Sequence, residues 1–317
     1  MSELNKIKPD TILKNFWKNN DRFADLFNAF LFHGKEILKA DDLMEIDTDV
    51  SSTLKFNGHV ETVQKIFDVV KKTAYGIDFV ILGLENQSRI HYAMPLRHMI
   101  GDAFSYLKEY NEIKAKNKKE GNFASTDEFL SKFRKTDRLH GMVTLCIYYG
   151  EKDWDGPLSL VDMLDVPDNL KFIFSDYKFN LIQVRSYKNL HFHNSDINTV
   201  FDLSSSIYNR DYEKINNVYK NQPISPELAM VIGAITESQE LIDHALENEQ
   251  KGAINMCTAL DELKKEGVQE GLQEGEVKGI IQTCKLFNPD QDAAIKLIMD
   301  KLSLSRETAL AYIKKYW

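Results

Sequence analysis

No stretch of this chain stays apolar for the roughly 20 residues needed to span a bilayer, and the opening MSELNKIKPD has no apolar signal-peptide segment. The expectation is a cytoplasmic protein with no membrane partner. Cysteine is scarce: Cys146, Cys257 and Cys284 are odd in number, widely spaced and without a CxxC pair. That excludes a zinc ribbon or a dithiol redox motif and leaves Cys146, inside VTLCIYY, as a core thiol. The chain has no GxSxG elbow and no HExxH helix, so serine or zinc hydrolysis has no support. Gly34-Lys35-Glu36 lacks the upstream glycine of a phosphate-binding loop. His191 and His193 are spaced for one strand face, but no third or fourth ligand stands nearby, and they read as surface residues. Positive charge is short as well, with 40 Lys and Arg against 48 Asp and Glu and a net charge of −8. Such a chain does not coat nucleic acid indiscriminately; to act on it, the lysines must be gathered locally.

The 317 residues, with the composition of a soluble globular protein, suffice for one large domain and an appendage, or for two domains. The most informative stretch is KIFDVVKKTAYGIDFVILGLENQ, residues 65–87. Two runs of Val, Ile and Phe flank Tyr75-Gly76, which predicts a β-hairpin. Side chains alternate along a strand, so Glu85 and Gln87 point the same way. A turn centred between Gly76 and Ile77 sets Asp68 opposite Glu85; a turn one residue earlier makes them a diagonal pair on the same face. Two close carboxylates repel and lose hydration unless a cation or proton lies between them. Mg²⁺ suits the position, because it takes one or two protein carboxylates and fills its other positions with water or phosphate oxygens. In the plainer reading Asp68 is balanced by Lys71 or Lys72 and Glu85 faces water.

The rest of the chain reads as helices around further strands. Apolar residues at helical spacing predict two helices from Asp10 to Leu38, capped by Asp10 and Asp21 and ending near Gly34. Residues 41–60 read as a connection into a strand near Gly58–Val63. Pro95 opens a helix running to about Ile113. Arg97 lies in its first turn, positioned either for a phosphate or for an ion pair with Glu85. Lys114, Lys116, Lys118 and Lys119, then Lys132, Arg134, Lys135 and Arg138, form the most basic region: a solvated helix end and loop, or a landing strip for DNA. MVTLCIYYG (142–150) predicts a buried central strand, Trp154 a cover over the sheet edge, and Phe179–Val184 another strand. After Ser205 the pattern is helical, with Pro226 at the start of one helix and Ser305 capping the last. Between them Gly267, Gly271, Gly275 and Gly279 recur every four residues, as an acidic linker or as a helix whose bare face meets another helix.

Several blocks resemble one family. Asp68 with Glu85-Asn86-Gln87 looks like the D…(D/E)-x-K constellation of PD-(D/E)XK phosphodiesterases. LGLENQSRIHYAMPLRHMIGDAFSY (82–106), LHGMVTLCIYYGEKDWDGPLSLVDML (139–164), FADLFNAFLFHGKEIL (23–38) and Asp10 with Lys14 are similar to blocks of the recombination-promoting nuclease/putative transposase family. The resemblance covers most of the chain. It implies an α/β fold: a PD-(D/E)XK, restriction-endonuclease-like core with a mixed central sheet flanked by helices over 1–205, a helical extension over 206–265, and a glycine-spaced helix and small helical tail over 266–317. It also implies a DNA endonuclease linked to recombination or mobile elements and dependent on Mg²⁺, Mn²⁺ or Ca²⁺. The ion would be held by Asp68, Glu85 and the Asn86 carbonyl, and Gln87 would stand where the motif usually has lysine. Asp10, then Asp25, are the candidates for an additional acidic ligand. Arg97, Lys114, Lys116, Lys118, Lys119 and Arg134 would meet DNA, and the C-terminal helices would join copies into a homo-oligomer. The family tolerates glutamine at the lysine position, but an amide supplies hydrogen bonds without charge. The competing expectation is a protein that binds nucleic acid or partners without cutting. RNA is a third possible target.

Overall fold

The computed structural model describes residues 8–45, 49–56, 59–66, 69–73, 77–83, 90–287, 290–302 and 304–317. Of the described residues within 45–83, and of 251, 263, 266–271 and 273–274, it gives only the backbone. The elements are α1 (Pro9–Lys18), α2 (Asn20–Phe32), β1 (Leu43–Glu45), β2 (Asp49–Phe56), β3 (His59–Ile66), β4 (Val69–Thr73), β5 (Ile77–Gly83), α3 (Met94–Glu120), α4 (Thr126–Ser131), β6 (Gly141–Tyr148), β7 (Asn180–Gln183), α5 (Ser195–Tyr208), α6 (Tyr212–Tyr219), α7 (Pro226–Ile235), α8 (Gln239–Glu247), α9 (Met256–Phe287), α10 (Gln291–Leu302) and α11 (Arg306–Tyr316). This is an α/β protein rich in helix. It divides into one unit of Met1–Val218 with Ile224–Ile254 and a second of Tyr219–Pro223 with Asn255–Trp317.

Helix starts follow local chemistry, at positions slightly different from those expected. Pro9 opens α1, and Asn19 caps α2 by accepting the Arg22 N–H at 3.1 Å. Asp10 and Asp21 therefore stand inside the first turns, where their charge favours the positive end of the helix dipole, and are not the caps. Ile12, Phe16 and Trp17 of α1 and Phe23, Leu26 and Phe27 of α2 are buried. A left-handed His33 followed by Gly34 at φ 81° ends α2. Arg22 joins three helices of this unit, reaching Asp196 of α5 at 2.7 Å and Glu227 of α7 at 2.6 Å.

Among the described residues the first unit holds a five-stranded mixed sheet in the order β1-β4-β5-β6-β7, plus the separate hairpin β2-β3. β4 is antiparallel to β1 and β5; β5, β6 and β7 are parallel. The stretch 41–60, expected as a connection, contains β1 and β2. The β4–β5 hairpin forms with Val69 opposite Ile81 and Lys72 opposite Asp78. Both expected registers place an even number of residues in the turn. The chain has three between Thr73 and Ile77, so the ladder stands one residue from the nearer expectation, and neither of the registers that would set Asp68 and Glu85 on one face is the one that Val69–Thr73 and Ile77–Gly83 form.

β6 lies between β5 and β7, and its Leu145, Cys146, Ile147 and Tyr148 are all buried, as a central parallel strand requires. Cys146 and Tyr148 share a core cluster with Met94 and Phe104 of α3 and with Phe179. Buried Asp102 fixes α3 against the sheet by accepting the Thr144 hydroxyl at 2.6 Å and the Tyr177 hydroxyl. Burial first, and then the charge of Asp102, push the Tyr177 phenol far above its ordinary range. α3 runs well past Ile113 to a left-handed Gly121. In the second unit α9, α10 and α11 enclose a core of Val277, Ile280, Ile281, Ile295, Ile298 and Ile313.

Candidate functional site

The carboxyl ends of β5, β6 and β7 lie side by side, with Gly83 beside Ile147 and Tyr148 beside Gln183. Val69, the first residue of β4, is at this same end, opposite Ile81. Open α/β sheets bind their ligands at this edge of the parallel strands. The described chain stops at Gly83 and resumes at Ile90, which packs on the cluster of Met94, Cys146, Tyr148 and Phe179. Asp68, Glu85, Asn86 and Gln87 lie outside the described residues. Of the residues that bracket them, Val69 and Gly83 are at one end of the sheet.

That end carries features the sequence did not mark as functional. Trp154 packs edge-on against Tyr148 at 5.3 Å and lies 5.4 Å from Phe179, over the sheet edge as expected. Its backbone N–H donates to Gln183 Oε1 at 2.7 Å, which ties the Trp154-Asp155-Gly156-Pro157 turn to β7. The Tyr92 hydroxyl donates to Asp155, and this hydrogen bond, with the carboxylate charge, raises the phenol pKa. An open cleft of ≈ 550 Å³ lies between Tyr92, Asp155, Pro157, Leu158 and Met163. The turn signal at 154–157 was readable, but its meeting with Tyr92 depends on the crossover through α3. Arg97 is exposed in the first turn of α3, with Nη1 4.0 Å from Met94 Sδ.

The expected basic region is a folded projection. Lys114, Lys116, Lys118 and Lys119 are exposed on the last turns of α3, and Lys135 and Arg138 are exposed on the chain that returns to β6. Asn117, buried among them, donates to the Lys132 carbonyl at 3.1 Å and to Asp137 Oδ2 at 2.6 Å. Arg134 turns inward, to Glu120 at 2.6 Å and the Asn122 carbonyl at 3.1 Å. Its guanidinium therefore braces the projection, whereas the lysines face outward.

The two additional acidic candidates have partners of their own. Asp10 pairs with Lys14 at 2.9 Å along α1. Asp25 is buried, and its two oxygens accept the N–H groups of His193 at 3.0 Å and Asn194 at 2.9 Å, which holds the entry to α5. His191 and His193 are exposed, and His193 Nε2 lies 2.8 Å from the Gly34 carbonyl. Among the described residues no group of three or more His, Cys, Asp or Glu is arranged to hold a metal, and no helix is long and apolar enough to cross a membrane. Compared with family models, curated proteins and solved structures, the chain gave no match.

Proposed function

We propose that this chain is a divalent-metal-dependent DNA endonuclease with a PD-(D/E)XK core, of the kind linked to recombination or mobile elements. The observation that carries this reading is the convergence of Val69 and Gly83 at one end of the sheet. Asp68 is the residue before the first, and Glu85-Asn86-Gln87 begins two residues after the second. The hairpin of β4 and β5 followed by α3, with β6 completing the sheet parallel to β5, supports it, although the expected preceding strand, β3, pairs with β2 in a separate sheet.

Two carboxylates and a carbonyl suit a hard cation such as Mg²⁺, Mn²⁺ or Ca²⁺. Bound there, the ion would polarise the phosphodiester and make water a better nucleophile. Asp68, Glu85 and the Asn86 carbonyl would hold it, Gln87 would orient the attacking water through its amide, and Arg97 would neutralise a neighbouring phosphate. The test is nicking of supercoiled plasmid with each metal by wild type, Asp68→Ala and Glu85→Ala, with a matched RNA substrate alongside. Metal-dependent nicking by wild type alone is the expected result. Equal background from all three proteins overturns the reading.

Gln87 favours one competing reading, a protein that binds nucleic acid without cutting it, because the amide brings no positive charge to the transition state. The wild-type rate separates the two: the catalytic reading expects wild type to nick above background and Gln87→Lys to nick faster, whereas the binding reading expects wild type to stay at background whatever Gln87→Lys does. We also propose that copies of the chain associate through the C-terminal helices.

A further inference from the structure

The projection between α3 and β6 leaves much of two apolar side chains exposed, although Phe123 meets Phe129 edge-on at 5.8 Å. Phe129 and Leu130, on the short helix α4, are 55% and 72% exposed. Their backbone is firmly held. Ser125 accepts the Glu128 N–H at 3.3 Å, and Glu128 accepts the N–H groups of Ala124 at 2.7 Å and Lys135 at 2.9 Å. Tyr110 donates to the Ser131 carbonyl at 3.3 Å. Lys132 adopts a left-handed φ of 57°, which sets its ammonium 3.3 Å from the Phe129 ring centre and 5.1 Å from that of Phe123. The result is a rigid aromatic surface with a cation across one side, and Phe129 still open to solvent.

The charge around it is sorted by direction. Residues 108–138 hold nine Lys and Arg against six Asp and Glu, in a chain whose net charge is −8. Four of those acids are turned to local partners: Glu109 to His140, Glu120 to Arg134, Glu128 to two amide N–H groups, and Asp137 to the Arg134 N–H and Asn117. Lys114, Lys116, Lys118, Lys119 and Lys135 are exposed. Glu112 and Asp127 are exposed as well, so the exposed lysines outnumber the acids left without a local partner, and with the exposed ring they make a surface for a polyanion that carries flat apolar groups.

We propose that this projection docks single-stranded nucleic acid, with an unstacked base on Phe129 and Leu130 and the flanking phosphates on the lysines. Single-strand binders combine these two components, a basic track and aromatic stacking platforms. A duplex keeps its base faces inside the stack and offers Phe129 nothing to stack on, so the preferred form is a single strand, flap or frayed end. This names the substrate form of the endonuclease proposed above, and it rests on that reading.

The experiment measures fluorescence anisotropy of a labelled oligothymidine and of a labelled duplex with full-length protein in EDTA, so that no cleavage is needed. Wild type should prefer the single strand. Phe129→Ser with Leu130→Ser should weaken that binding about tenfold or more, the loss expected when a stacking contact is removed. Duplex binding should stay unchanged. Lys118→Ala with Lys119→Ala should flatten the salt dependence for both ligands. Phe172→Ser, at an exposed apolar residue elsewhere, is the control and should change nothing. Equal wild-type affinity for duplex and single strand, or a double serine variant that binds as wild type, overturns the proposal. So does a polyglutamate competitor that binds as tightly and depends equally on Phe129. Nicking without single-strand preference defeats this inference alone, and single-strand preference without nicking defeats the enzyme reading alone.

Discussion

Arg22 shows how one side chain links distant parts of the chain. Burial works against its charge, but the hydrogen bonds it donates to Glu227 and Asp196 outweigh that cost and raise its pKa above the ordinary value. Its planar fork serves both carboxylates, which a lysine cannot do. Arg22→Ala should lower stability by about 2 kcal/mol, less than for a fully buried pair because both acids reach solvent, and Arg22→Lys should recover under half of that. The midpoint of urea unfolding at constant slope measures both. Glu128 and Asp137 give a pH-dependent counterpart. Glu128 is held below its ordinary value of 4.5 by the N–H groups of Lys135 and Ala124. Asp137 is held below 3.8 by the Arg134 N–H, with a further hydrogen bond from Asn117. A depressed carboxylate adds stability that is complete above its unfolded pKa and lost as pH falls through its folded one. The amide resonances of Ala124 and Lys135 should therefore stay native down to pH 4.5 and shift only below it. A midpoint at or above that pH would contradict the assignment.

At the scale of elements, helix starts were readable where a short polar side chain or proline preceded an apolar helix, as at Pro226, which opens α7, and Ser305, which caps α11 as expected. They were misplaced where two such residues competed: Asn19 outranks Asp21 because it is the one outside the first turn. The core strand β6 was legible from its unbroken apolar run. β2 was not, because Ser51, Ser52 and Thr53 interrupt the alternation of Val50, Leu54 and Phe56. Helix α3 outran its apolar pattern because residues 114–120, all but Asn117, are strong helix formers and Asn117 is held by its bonds to Lys132 and Asp137. Of the candidate site, whose acidic motif lies outside the described residues, the exposed lysines could be read from local sequence. The partners of Asp25 and Asp102 could not, since His193 and Tyr177 reach them only through the fold. Asp102→Ala should cost about 2–4 kcal/mol by leaving the Thr144 and Tyr177 hydroxyls without their acceptor. In the α7–α8 hairpin a Cβ on Gly233 would stand 2.9 Å from Ile242 and 3.0 Å from the Ser238 carbonyl. Gly233→Ala should therefore destabilise by about 1–3 kcal/mol in thermal unfolding.

For the whole molecule, the second unit poses the question of assembly. Among the described residues nothing lies within 4 Å of where a Cβ on Gly275 or Gly279 would stand. In an isolated chain, replacing both with alanine should therefore only strengthen α9, by about 1 kcal/mol each. If copies associate along that face, the same change should lower the sedimenting mass, and ending the chain after Leu260 should lower it further; an unchanged mass in both cases removes the tail as an assembly element. The parallel pairing of β5 with β6 also bears on how the protein is made. β4 and β5 can zip together as soon as they are synthesised, but Ile77 meets Gly141 only after all of α3 and the α4 projection have emerged. Until then β5 presents a bare apolar margin that any extended neighbour can adopt as its own. Chains interrupted between Gly121 and Gly141 should accordingly precipitate in cells and gather on chaperones more than the full-length chain does.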